Sequence, residues 1–155
     1  MKFCIFLALC VCLVFYSVVS PPMTNLETLG DGTFAFYSTD RVESPLVTDT
    51  IDLGFAFIYE CKSADAAKVR ALFNRIDGES IRLENYGGNT NRILKSLRAR
   101  AVTASDFGTY AYTPKIKAFI TMTKSSGAGN AHINLQIVQN QDVTIVGWPV
   151  ILGSY

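Results

Sequence analysis

Among residues that do chemistry, this chain offers one histidine, His132, and four cysteines, Cys4, Cys10, Cys12 and Cys61. A single histidine removes His-pair metal sites and any two-histidine mechanism. What is left is a thiol–imidazole pair, with Cys61 as nucleophile, His132 as its base, and a helix starting at Ser63 lowering the thiol pKa. The neighbours of both residues argue otherwise. Cys61 shares its parity with Phe55, Phe57 and Tyr59, the pattern of a buried, inert thiol on an apolar strand face. His132 keeps company with Asn134 and Gln136, the pattern of a surface histidine. Asp49 and Asp52 suggest a cation but lack the carbonyl-rich spacing of a calcium loop. Gly87-Gly88 and Gly127-Ala128-Gly129 lack the lysine of a phosphate loop and the strand-to-helix setting of a dinucleotide fingerprint, so they read as turns. No catalytic, cofactor-binding or metal-ligating set emerges. The chain is read as a non-enzyme without a cofactor; the alternative is a cysteine-dependent hydrolase using Cys61 and His132.

One charged group stands out. Arg92, Lys95 and Arg98 recur on the outer face of a predicted helix over about Thr90 to Arg98, whose apolar stripe is Ile93, Leu94 and Leu97. Such a face is either simply solvated or contacts an anionic surface, a membrane or a wall polymer. Nucleic acid does not fit the charge balance. Setting aside Lys2 leaves 13 basic residues against 13 acidic ones, with no basic stripe to neutralise phosphates.

The elements that must position these residues are clearest between Ile51 and Asn85. A strand through Phe57 and Tyr59 leads to a helix with Val69, Leu72, Phe73 and Ile76 on one stripe. Ser63 is its expected N-cap and Asp77-Gly78 its stop. Lys68, Arg70 and Arg75 fall off the stripe. A second strand, Glu79 to Glu84, alternates Ile81 and Leu83 with Ser80, Arg82 and Glu84 and so has one wet face. If both strands share a sheet, the helix is a crossover packed on it. Before this unit, Phe34 and Phe36 mark a first strand. After it, the chain turns all-β: short runs at Ala101–Ser105 and Gly108–Thr113, an alternating run from Ile116 to Met122, a hairpin loop KSSGAGN, a half-buried strand with Ile133, Leu135 and Ile137, and a last strand from Val143 to Trp148. Short connections imply antiparallel neighbours. The final VILGSY is too apolar for a free tail and is expected to dock. The fold class is therefore α+β, a mostly antiparallel sheet with two helices packed on it and one strand–helix–strand unit.

Residues 1–20 read as an export signal: Lys2, an apolar run from Phe3 to Val19, then Pro21-Pro22. Val18 and Ser20 suit the positions before a cleavage site, whereas Pro21 disfavours the cut. The run would span about 26 Å at ~1.5 Å per residue, slightly short of a ~30 Å hydrocarbon core. Both a cleaved leader and a membrane anchor fit. Residues 21–32 read as a polar lead-in and 33–155 as a single domain. With three cysteines in the leader, Cys61 has no intramolecular disulfide partner. At 49% apolar and 17% charged residues the chain can stand on its core.

The strings YECKSADAAKVRALFNRIDGESI, HINLQIV and TIVGWPVILGSY resemble the YwmB family of exported proteins from spore-forming Gram-positive bacteria, over about Thr50 to Tyr155. The resemblance implies a TATA-box-binding-protein-like fold, a curved antiparallel sheet backed by helices, in a family of unestablished function. The missing catalytic set and the apolar C-terminal segment point to an interaction module outside the cytoplasmic membrane that presents its sheet or that segment to an envelope protein or wall polymer, and the resemblance suggests a link to sporulation.

Overall fold

The computed structural model describes residues 26–117, 119–123, 129–149 and 151. Among these residues ten strands run in chain order: β1 (Thr33–Ser38), β2 (Asp49–Asp52), β3 (Phe57–Lys62), β4 (Gly78–Glu84), β5 (Arg100–Ser105), β6 (Gly108–Tyr112), β7 (Ile120–Thr123), β8 (Asn130–Ile133), β9 (Leu135–Gln139) and β10 (Val143–Trp148). Two short helices, α1 (Ala66–Arg70) and α2 (Thr90–Ser96), follow β3 and β4. Eight strands form one sheet in the order β2-β3-β1-β4-β10-β9-β6-β5, and β7 and β8 form a second, two-stranded sheet. Among the described residues every strand pairing is antiparallel. The architecture is α+β.

The expected strand–helix–strand unit is β3–α1–β4, and its two strands flank β1 in the sheet. Alternation then sorts the side chains. Phe34, Phe36, Tyr59, Cys61, Ile81, Leu83, Val146 and Trp148 share one face and pack with Val69, Phe73, Ile93 and Leu97. Phe73 is the link: its ring lies 5.8 Å from that of Phe36 and 5.2 Å from that of Tyr59.

The helix itself is shorter than its stripe suggests. It ends at Arg70, and Leu72 is 45% exposed. A tertiary contact takes over there: the Asp40 carboxylate accepts the main-chain N–H of Asn74 (2.8 Å) and of Arg75 (3.2 Å), and the Ser38 hydroxyl donates to the Arg75 carbonyl at 2.6 Å. These bonds hold the chain in a loop where helix was expected. Ser63 is no N-cap. Its Oγ accepts from Gly32 N at 2.7 Å and donates to Gly32 O at 2.9 Å, extending the β1–β3 contact. Gly78 does not close the helix either; it opens β4, where a Cβ would sit 2.9 Å from the Trp148 carbonyl oxygen.

Two other expectations change. In the segment read as a polar lead-in, Leu26–Leu29 forms a 3-10 turn and buries both leucines in the core. The strand through Ile133, Leu135 and Ile137 is two strands, broken at Asn134, and of the polar residues alternating with them His132 is exposed while Asn134 and Gln136 are not wet. Asn134 and Gln136 are buried with their amides satisfied: Asn134 donates to the carbonyls of Thr113 and Ile116 (both 2.8 Å) and accepts from Thr113 N at 2.8 Å, and Gln136 donates to the Phe107 carbonyl at 2.9 Å. The hairpin β7–β8 is thereby tied to the end of β6. Of the alternating run before it, the described residues are strand from Ile120 onward. Ala118 and most of the KSSGAGN loop lie outside the described residues, as do the leader and Leu152–Tyr155. Among the described residues no helix is long and apolar enough to cross a membrane.

Candidate binding surface

Cys61 lies in β3 of the large sheet and is fully buried. Burial pushes its thiol up to about 11, with the charges of Asp65 and Glu79 adding to the effect and Arg70 opposing it. A thiol held that far above neutral pH carries almost no thiolate. His132 lies in β8 of the two-stranded sheet, exposed, with its ring 4.3 Å from that of Phe119 and its Nδ1 3.4 Å from the Thr121 hydroxyl. The two residues belong to different sheets. Asp49 and Asp52 are both exposed on β2, where each carboxylate accepts a nearby main-chain N–H, of Thr50 at 2.8 Å and of Gly54 at 2.7 Å. No group of three potential metal ligands occurs among the described residues.

Arg92 and Lys95 are exposed on α2, which Asn89 caps by accepting from Arg92 N at 3.0 Å. Arg98 is exposed beyond the helix end at φ 50, so the turn rather than the helical period sets its direction. None of the three joins an ion pair among the described residues.

The second face of the large sheet is built differently from the helix-covered one. Tyr37, Ile58 and Ile145 are buried there without joining the main core, and Tyr37 shares a hydrogen bond with Ser80 at 3.2 Å. They line a concavity of about 270 Å3 together with Glu60, Arg82 and Ile51. Ile151 closes one side: its amide donates to Gln136 Oε1 at 2.9 Å, and its side chain lies over Gly147. The docking expected of the C-terminal segment is visible at that residue.

This face runs out to β2, the edge strand, all four of whose residues are exposed. Ile51 and Leu53 are each 42% exposed, and Phe55, in the turn to β3, is 81% exposed. Scattered apolar residues on a surface mean little, whereas a contiguous group marks a contact surface. No protein-family model, curated protein or solved structure matches the chain. Its site therefore stands on its own geometry.

Sequence reasoning placed Phe55 in the strand with Phe57 and Tyr59, and so inside the protein. The turn signal was present in Leu53-Gly54, with Gly54 at φ 84 and Leu53 N donating to Ala56 O at 2.9 Å. It also set Arg70 off the buried stripe and left Glu79 without a partner. Arg70 Nε donates to Glu79 Oε2 at 3.0 Å and Nη2 to Glu79 Oε1 at 2.7 Å, inside the core, and Glu27 pairs with the same guanidinium. Burial works against the Arg70 charge, but the two carboxylates outweigh it and hold the group above its ordinary pKa.

Proposed function

We propose that this chain is an exported, non-enzymatic interaction domain of the YwmB-like kind, held outside the cytoplasmic membrane, that binds a partner in the cell envelope through the β2 end of its sheet. The reading rests chiefly on one observation: Ile51, Leu53 and Phe55 put three large exposed apolar side chains on an edge strand and its turn. Burying such a group against a partner is favourable by about 25 cal/mol per Å2 of apolar surface. The buried, high-pKa thiol of Cys61 supports a role without nucleophilic chemistry. The antiparallel sheet backed by helices on one face supports the TATA-box-binding-protein-like form. Export rests on residues 1–20, and a part in a spore-forming life cycle on the resemblance alone. Arg92, Lys95 and Arg98 serve as a secondary contact for an anionic surface.

The test is a photo-reactive phenylalanine analogue at Phe55 in the native host, compared with the same analogue at Phe107, which is also exposed but lies in the turn between β5 and β6. A discrete adduct from position 55 and none from 107 is expected. Equal labelling from both, or none from 55, overturns the reading. Protease access on intact protoplasts tests export: a fully protected domain rejects it.

A further inference from the structure

Among the described residues β2 ends the eight-strand order, with β3 as its one neighbour in the sheet. Because Leu53 pairs with Ala56 through a 2.9 Å bond, alternation turns the main-chain groups of Ile51 and Asp49 toward β3 and those of Thr50 and Asp52 outward. A free edge of this kind is a template for another strand unless it is protected. Here the protection is slight. The outward Thr50 N–H is held by the adjacent Asp49 carboxylate at 2.8 Å.

The side chains along this edge carry an unresolved conflict. Asp49 stands directly across from Glu60 on the second face of the sheet. Like charges directly opposite one another are destabilising. Neither carboxylate joins an ion pair among the described residues; Lys62, two residues along β3 on the same face, pairs with neither, and Arg41 lies instead over the Phe57 ring. The next pair on that face is Ile51 with Ile58. Over one two-residue step, about 7 Å, the edge changes from doubly acidic to apolar.

We infer that β2 accepts an extended segment of a protein partner as a ninth strand, carrying a basic side chain over Asp49 and Glu60 and, two residues away, an apolar side chain against Ile51. This rests on the interaction-domain reading and names the partner's chemistry. Main-chain bonds to Thr50 and Asp52 supply affinity, and the alternate side chains supply specificity. When the cation arrives, the Asp49 carboxylate exchanges the Thr50 N–H for it and frees that donor for the ladder. A second copy of the chain is a poor occupant: the antiparallel registers that face the outward groups of Thr50 and Asp52 toward those of the other copy put Ile51, Leu53 or Phe55 opposite Asp49 and bring it no cation.

The probe is the labelled octapeptide Lys-Thr-Val-Thr-Lys-Thr-Val-Thr, whose lysines and valines follow one another along one strand face, titrated by fluorescence polarisation against the full-length chain in mild detergent, beside the same peptide with glutamate for lysine. Expected are saturable binding of the lysine peptide alone and slowed exchange of the Thr50 and Asp52 amides. The double substitution Asp49→Lys with Asp52→Lys changes only exposed residues; it should weaken the lysine peptide by at least about tenfold and favour the glutamate peptide. Thr50→Pro, at an outward-facing edge position where proline is tolerated, should abolish binding. Failure of the lysine peptide to bind, equal binding by the charge-reversed chain, or binding without amide protection overturns the proposal. Concentration-dependent protection of the same amides without peptide overturns it in favour of self-pairing. An adduct from Phe55 in the envelope with no lysine-peptide binding rejects strand addition alone. Lysine-peptide binding with no adduct rejects the envelope reading alone.

Discussion

Arg70 and Glu79 meet side by side in the core, the guanidinium Nε and Nη2 donating to the two carboxylate oxygens at 3.0 and 2.7 Å, with Glu79 0% exposed. The pair joins α1 to the central strand β4, and the guanidinium carbon also sits 5.5 Å from the centre of the Phe36 ring. Removing one partner strands a buried charge. Arg70→Met should therefore cost about 3–5 kcal/mol in a denaturant titration. Arg70→Met combined with Glu79→Leu should recover much of that loss, since a well-packed apolar pair replaces a desolvated ionic one. A double variant as unstable as the single one would show that the pair does more than neutralise charge.

Cys61 sets a pH dependence at the alkaline side. Its folded pKa, about 11, lies above the ordinary 9.0, so the native chain keeps this proton after the unfolded chain has lost it. The stabilisation is complete below about pH 9 and is lost as pH rises through about 11, a total of roughly 2–3 kcal/mol. The measurement is the difference in unfolding free energy between wild type and Cys61→Ala from pH 8 to 11, expected to shrink as pH rises, with pH as the imposed variable (~0.5 steps). Iodoacetamide should also modify the native thiol far more slowly than a free one at neutral pH.

The loop after α1 separates two adjacent apolar residues. Phe73 is buried between the rings of Phe36 and Tyr59, and Leu72 is nearly half exposed. Phe73→Ala should cost about 3–5 kcal/mol, while Leu72→Ala should cost under ~1 kcal/mol. Arg75→Ala, which removes an exposed pair with Asp77, should change stability by no more than about 0.5 kcal/mol. Thermal melts of the three variants give the ranking directly.

Asn134 fastens the two-stranded sheet to the large one. Asn134→Leu would leave Thr113 N and the carbonyls of Thr113 and Ile116 without this amide. The expected cost is at least about 2–3 kcal/mol, since each buried group left unsatisfied costs about 1–3. Hydrogen exchange should accelerate first in β7 and β8 and later in β1, β4 and β10.

Gly108 keeps β6 against β9. It lies at φ 114, and a Cβ there would come 2.4 Å from the Ile137 carbonyl oxygen. Gly108→Ala should open the Thr109–Ile137 pairing, read as faster exchange of the β6 amides, because both the backbone conformation and the space exclude a side chain.

The hydrophobic alternation was enough to place most strands. Phe34 and Phe36 in β1, Ile81 and Leu83 in β4, and the run from Val143 to Trp148 in β10 all show a period of two in the chain itself, and the short turns between later strands imply antiparallel neighbours. The stripe Ile93, Leu94 and Leu97 was equally legible, with Ile93 and Leu97 buried, whereas the cap could be either Thr90 or Asn89 until the structure gave it to Asn89. These are local signals, carried by residues two to four positions apart, and they suffice for an α+β sheet with helices on one face.

The rest depended on partners far away in sequence. Periodicity sets Arg70 outside the helix stripe, yet Glu79 and Glu27 draw it into the core. Asp40 ends α1 early from more than thirty positions away. Asn134 is buried only because Thr113 and Ile116 satisfy its amide. The edge pair Asp49–Glu60 exists only once β2 folds back on β3. By itself the sequence determined which residues alternate and where the chain turns. The tertiary structure decided which polar groups find a partner, because burial of a charge or an amide is favourable only when its complement arrives from another element.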